Sequence, residues 1–280
     1  MKITSFTEDL IGLETFANKL KSFIDTEVDF VDGSLVVALT SKYGSGKTTF
    51  LEMWKSLLED ETKTNNNIQV ISLNAWESDY YGDPLFAIIS AMVDALRNAG
   101  KSVNKLINAA KDLGWFTTAI GGQIVNKLTG IDPIAAGDVT ESKKIKRENS
   151  NLLIPDAFSE YESRKDAMSS LKHVLNQYIS SSEPKIMFLV DELDRCRPDY
   201  AITYLETIKH IFDIKGAVFI IAADRNHLEN SARTAFGQKL DFEEYYRKFI
   251  HREVTLPPIS DSGYEKLISN YINYYLERDG

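Results

Sequence analysis

The chain has a single cysteine, Cys196, among its 280 residues. An internal disulfide is therefore excluded, and a reducing compartment is the natural setting. Histidine is nearly as scarce: His173, His210, His227 and His251 lie far apart and offer no metal-ligand spacing, so no zinc site is expected. Excess positive charge is missing too. The formal net charge of −9 argues against broad, non-specific binding to nucleic acid or anionic lipid. Nor is there a long apolar run. The best stretch, residues 113–126 (LGWFTTAIGGQIVN), ends at Lys127 and includes three glycines, a glutamine and an asparagine, well short of the ~20 apolar residues that a spanning helix needs. It reads as a buried or interfacial segment, and no membrane span is expected. The first residues, MKITSFTEDLIGLE, lack the basic-then-apolar pattern of a secretory signal. Together these absences point to a cytoplasmic setting.

What is present is an ordinary globular composition, 43% hydrophobic and 26% charged, with length for one domain carrying an insertion. Residues 11–24 place Leu13, Phe16, Ala17, Leu20, Phe23 and Ile24 on one helical face. Residues 34–40 (SLVVALT) form a short, β-branched apolar run of the kind buried on both faces of a parallel sheet. From Gly46 onward Phe50, Leu51, Trp54, Leu57 and Leu58 return at helical spacing. Between strand and helix stands SKYGSGKTTF, residues 41–50, which fits G-x-x-x-x-G-K-[ST] except at its first position, where Ser41 replaces glycine. A strand that delivers such a loop and a helix that receives it bring backbone N–H groups and the helix's positive end together on a phosphate. Tyr43, Gly44, Ser45, Gly46, Lys47, Thr48 and Thr49 are therefore the candidate nucleotide-binding segment. Gly44 and Gly46 allow conformations and close approach that a side chain would block, Lys47 suits the β- and γ-phosphates, and the Thr48 hydroxyl suits Mg²⁺. Ser41 lies at the strand end, away from this cradle. A Cβ there costs about 1–2 kcal/mol if the position needs positive φ, and little otherwise.

Further strands are expected at 68–73 (IQVISL), 185–190 (KIMFLV), 217–223 (AVFIIAA) and 252–256 (REVTL), with a polar turn, TKTNNN, at 62–67. Helical spacing runs over 84–99, 158–178, 198–212, from Asp224 through Ala235, and in a final helix carrying Tyr264, Leu267, Ile268, Tyr271, Tyr275 and Leu276. Residues 101–156 differ, with weak helical periodicity, GG, DP and AAGD breakers and the run TESKKIKRENSN; they read as a helical insertion ending in a mobile, basic loop. At the carboxyl edge of the 185–190 strand stands Asp191-Glu192-Leu193-Asp194-Arg195. Ligands of open parallel sheets bind outside the carboxyl ends of the strands, so these acids emerge where the loop does. Apolar residues followed by Asp-Glu make a Walker B motif, in which Asp191 holds the nucleotide's Mg²⁺ and Glu192 orients and deprotonates the attacking water. Glu192 and Lys47 are thus the candidate catalytic residues. Five parallel strands, one lying between the two Walker strands in sequence, predict a three-layer α/β P-loop NTPase with sheet order 5-1-4-3-2 and a helical insertion between the Walker motifs.

Taken jointly, DLIGLETFANKL, YGSGKTTFL, LNAWE, VDELDRCRPDY, FIIAADRNHL and YYRKFIHREVTLPP resemble the KAP family of P-loop NTPases across residues 1–280, with 101–156 as the insertion. The resemblance implies Mg-dependent ATP hydrolysis in a regulatory or signalling role, an insertion that spans the membrane in many relatives, and bacterial members active against phage. Ser41 and the modest hydrophobicity of the insertion depart from the family's pattern. Relatives tend to be longer, and this chain stops at Glu277-Arg278-Asp279-Gly280 directly after a helix, so an N-terminal ATPase module of a longer protein is expected. The leading reading is a switch that uses ATP and Mg²⁺ to control its own assembly, as a homo-oligomer, or an effector protein partner. The alternative is a nucleotide-binding scaffold with little turnover; an intact Glu192 favours the first. A nucleic-acid motor would need a basic tract interleaved with aromatics, and only KKIKR at 143–147 is offered, which leaves a nucleic-acid partner open. A GTPase reading from Asn126-Lys127 fails because Thr129 stands where an aspartate is needed and the segment precedes Walker B. Arg195, Arg225 and Arg247 are candidates to serve a neighbouring site as arginine fingers, or simply to partner local carboxylates.

Overall fold

Each apolar run becomes a strand in the structure, a computed structural model that describes residues 3–65, 68–114, 157–180 and 185–278. The strands are β1 (Leu35–Thr40), β2 (Ile68–Asn74), β3 (Lys185–Asp191), β4 (Ala217–Ala223) and β5 (Arg252–Thr255). The described helices are α1 (Glu14–Glu27), α2 (Lys47–Asn65), α3 (Ala75–Asp79), α4 (Pro84–Asn98), α5 (Asn104–Gly114), α6 (Ala157–Ser180), α7 (Pro198–Ile211), α8 (Arg225–Phe236), α9 (Phe242–Tyr246) and α10 (Asp261–Arg278). Every strand pairing is parallel, and the order β2-β3-β4-β1-β5 is the expected 5-1-4-3-2 read from the other edge.

Side-chain alternation divides each central strand between two apolar layers, which is why these strands read as unbroken hydrophobic runs. Leu35, Val37 and Leu39 of β1, Met187 and Leu189 of β3 and Val218, Ile220 and Ala222 of β4 share one core with α1 and α2. There Trp54, fully buried, stacks on Phe50 with ring centroids 5.7 Å apart. The alternate residues are just as buried. Phe188 of β3 stacks on Phe219 of β4 at 4.4 Å with the rings 5° apart, and Phe212, which closes α7, stands edge-on to both. Burying each such ring contributes about 1.5–3 kcal/mol.

The chain divides into two compact units, one formed by Met1–Trp76 with Ser182–Gly280 and the other by Glu77–Ser181. The first holds the sheet. The second is helical: Asp83 caps α4 by accepting from the Leu85 amide at 2.9 Å, and α5 packs against α6, with the Tyr178 hydroxyl donating to the Ser102 carbonyl. No described helix is long and apolar enough to cross a membrane. Residues 115–156, which include KKIKR at 143–147, Asn126-Lys127 and most of the 113–126 stretch, lie outside the described residues.

One local expectation shifts, and two elements gain detail. Helix α2 continues to Asn65, through part of what reads as a polar turn. The last buried residue of its apolar stripe is Leu58, among those described, and the helical backbone runs on past it. Residues 104–114, weakly periodic in the sequence, form α5 with Leu106, Ile107, Ala109, Ala110 and Leu113 buried. Conversely, Tyr264, Ile268, Tyr271, Tyr275 and Leu276 of α10 are exposed; helical spacing creates a stripe but does not decide whether another element covers it.

Beside β5, His251 extends the ladder with its side chain. Its amide donates to the Val36 carbonyl at 2.9 Å, and its Nδ1 accepts from the Val36 amide at 3.1 Å, which requires a neutral ring. Burial, then Lys209, holds its pKa below the ordinary 6.5; Asp213 pulls the other way and Arg252 adds to the depression. A lowered folded pKa gives stability that is complete above the unfolded value and disappears as pH falls through the folded one. Denaturant midpoints compared at about pH 7.5 and about pH 5.5 should therefore fall more for the wild type than for His251→Gln, whose amide oxygen accepts at either pH. Equal falls in the two proteins would remove His251 from the acid sensitivity of the fold.

Candidate nucleotide site

The loop between β1 and α2 adopts the conformation that its glycines permit. Gly44 has φ of 78° and Gly46 of 91°, the left-handed region that a Cβ disfavours. Ser41 does not share it: among the described residues, Glu192 is the one non-glycine with positive φ. The serine therefore imposes no such strain on the strand end. Its carbonyl has a partner, accepting from Lys47 Nζ at 2.8 Å, and the Lys42 carbonyl accepts from the same ammonium at 3.2 Å. In the middle of the loop the Ser45 hydroxyl is buried and meets no hydrogen-bonding partner among the described residues. A phosphate oxygen would satisfy it.

The Walker acids stand beside this loop. Strand register aligns Asn74 of β2 with Asp191 of β3, so the two strands end together. The Thr48 hydroxyl faces the Asp191 carboxylate and favours its charged form. Burial pushes the Asp191 carboxyl above the usual carboxylate range; the Thr48 hydroxyl and the hydrogen bond from the Glu192 amide oppose this, while the Glu192 and Asp194 charges add to it. Glu192 follows with φ 61° and ψ 25°, a left-handed turn costing about 1–2 kcal/mol for a residue with a Cβ. That turn aims its carboxylate back at the site. Its Oε2 accepts from Asn74 Nδ2 at 3.0 Å, its Oε1 pairs with Arg195 at 2.9 Å, and the side chain is 12% exposed.

Two participants escape sequence reasoning. Asn74 looks like an ordinary strand end in LNAWE; only the register with β3 sets it against Glu192. Asp194 lies in the 3-10 turn Leu193–Arg195, which swings it back so that one oxygen accepts from the Asp224 amide at 2.8 Å and lies 3.9 Å from Lys47 Nζ, both side chains buried. Its signal was the third acid of Asp-Glu-Leu-Asp. Of the three candidate fingers, Arg195 is tied to Glu192 of its own chain. Arg225 is committed to Glu253 at 2.6 Å and to Glu243, with its guanidinium 4.9 Å from the Tyr246 ring centroid. Arg247 closes α9 with its side chain exposed.

No group of three or more His, Cys, Asp or Glu among the described residues is placed to hold a metal alone. Magnesium on a nucleotide does not need one, because it takes one or two protein oxygens together with phosphate and water. The Thr48 hydroxyl and the half-buried Asp191 carboxylate are hard oxygen donors of that kind, and they fit it.

Among solved structures, the chain is similar to the ORC2 protein of Aeropyrum pernix in its ADPNP–ADP complexes, at 14% identity and a TM-score of 0.40, over 89% of this chain and 49% of that one. It thus spans about half of that protein's length. No protein of curated function matches. The family model described as the KAP family P-loop domain matches residues 14–278, a span that takes in the phosphate loop, both Walker acids and all five strands. The chain belongs to the KAP family of P-loop NTPases.

Proposed function

We propose that this chain binds and hydrolyses Mg-ATP as a cytoplasmic regulatory ATPase, and that turnover controls its self-assembly or its hold on an effector protein. The observation that carries the reading is the meeting of Thr48 of the phosphate loop with Asp191 of Walker B, with Glu192 as the next residue. Residues Tyr43 to Thr49 wrap the phosphates with backbone N–H groups, and Lys47 exchanges its two loop carbonyls for the β- and γ-phosphates. Thr48 and Asp191 would hold Mg²⁺, which would supply positive charge against the phosphate oxygens. Glu192 takes a proton from the attacking water. The family and the single cysteine suit an intracellular role, with bacterial phage defence as the setting the family suggests. A second reading, a nucleotide-binding scaffold with little turnover, draws support from Glu192 itself, whose two oxygens are both engaged by Asn74 and Arg195.

Turnover per chain, measured over a wide range of protein concentration, tests the switch. If assembly completes the site, the rate per chain rises with concentration and saturates. A constant rate above background would separate hydrolysis from assembly, and no turnover at any concentration would leave the scaffold.

A further inference from the structure

Arg195 is held in an arrangement that core packing does not explain. Its guanidinium carbon lies 5.3 Å from the centroid of the Tyr43 ring and 5.6 Å from that of Trp76. These rings are 68% and 52% exposed, so they bury little apolar surface; what they do is offer two π systems to one planar cation. Tyr43 immediately precedes Gly44 in the phosphate loop, and Trp76 follows β2 two residues after Asn74. The cation is thus braced by the loop that wraps phosphate and by the start of α3, directly after the strand whose Asn74 holds the second oxygen of Glu192. Glu192 is its only ion partner among the described residues, reached through one terminal nitrogen. A guanidinium presents five donors in a fixed fork, and the Arg195 side chain is 37% exposed. It is open to a further anion.

We infer that Arg195 reads the terminal phosphate of the bound nucleotide, within its own chain, and that in turning to it Arg195 releases Glu192. The inference rests on the nucleotide-site reading above. A triphosphate tail offers several charged oxygens where Glu192 offers one, and arginine matches phosphate oxygens in pairs. Arg195 occupies the Oε1 side of Glu192, and its departure opens that oxygen to the attacking water. A diphosphate, ending one group short, leaves the Arg195–Glu192 pair closed. Arg195 is then the residue by which the site distinguishes ATP from ADP, and Trp76 changes environment when it does.

Calorimetry with ADP and with a non-hydrolysable imidotriphosphate analogue, each with Mg²⁺, tests this on the whole chain. Arg195→Ala should leave ADP affinity within about threefold while removing about tenfold or more of the preference for the triphosphate. Arg195→Lys, which restores charge without the planar fork, should recover part of it. The Trp76 contribution to fluorescence, taken as the wild type minus Trp76→Phe, should respond to the analogue but not to ADP, and the response should vanish in Arg195→Ala. If the triphosphate preference and the Trp76 response both survive in Arg195→Ala, the inference is overturned, even where turnover falls, because Arg195 then only braces Glu192. Should Arg195→Ala not fold, Tyr43→Leu at its exposed position must lower the preference, and an unchanged preference counts equally against the proposal. A wild type that binds neither nucleotide overturns the nucleotide-site reading and this inference with it, whereas binding without discrimination at Arg195 overturns the inference alone.

Discussion

Lys47→Ala abolishes useful ATP binding: affinity falls by about 100-fold or more, close to 3 kcal/mol at about 1.4 kcal/mol per tenfold. Lys47 is the buried ammonium of the phosphate loop, already turned inward by the Ser41 and Lys42 carbonyls, whereas the loop's other lysine, Lys42, is exposed. The substitution also acts on the empty protein. Asp194 is buried 3.9 Å from Lys47, close to Asp191 and Glu192 in sequence, and removal of the ammonium leaves it uncompensated. Its hydrogen bond from the Asp224 amide limits the damage, so we expect about 1–3 kcal/mol of destabilisation, below the range for severing a close buried pair. Adding Asp194→Asn recovers stability without recovering ATP. Calorimetric titration and denaturant unfolding check the two halves separately, and ATP affinity within tenfold of the wild type would refute the assignment of the loop.

Glu192→Gln has the opposite signature. Glutamine keeps the size of the side chain and an oxygen that accepts from Asn74, but it cannot take a proton and it gives Arg195 no charge to pair with. Mg-ATP binding through Lys47, Thr48 and Asp191 is retained or tightened. Single-turnover hydrolysis slows by about 10² to 10⁴, the usual loss on removing an aligned general base. If ATP drives assembly, the variant accumulates in the assembled, ATP-bound form. Rapid-quench measurement on the two proteins decides: equal rates at background level in both would make the scaffold reading the right one and reduce Glu192 to an ion-paired acid.

Much of this architecture was legible before any coordinates. The central strands announce themselves because a parallel strand covered on both sides must have an apolar interior, and β1, β3 and β4 do. The sheet order followed from one strand lying between the Walker strands in sequence. Lys47, Thr48, Asp191 and Glu192 were placed at one end of the sheet by local patterns, and they are there. What could not be read depends on register and on turns. Asn74 meets Glu192 because β2 and β3 end in step, and Asp194 meets Lys47 because a 3-10 turn reverses its direction; neither relation leaves a spacing in the sequence. The brace around Arg195 draws on three separated segments, those of Tyr43, Trp76 and Arg195, and was equally hidden. Ser41 was legible as a departure from the pattern but not as a harmless one, since its cost depended on a backbone angle.

The bare aromatic face of α10 has a practical consequence at the bench. Tyr264, Ile268, Tyr271, Tyr275 and Leu276 are each more than half exposed, and dyes such as ANS, which fluoresce on binding accessible apolar surface, ordinarily report loosened or partly unfolded states. This chain should brighten them while native. A dye-based melting curve would then begin from a high baseline and understate the transition, so ligand-induced stabilisation is better followed by circular dichroism or by the emission of buried Trp54.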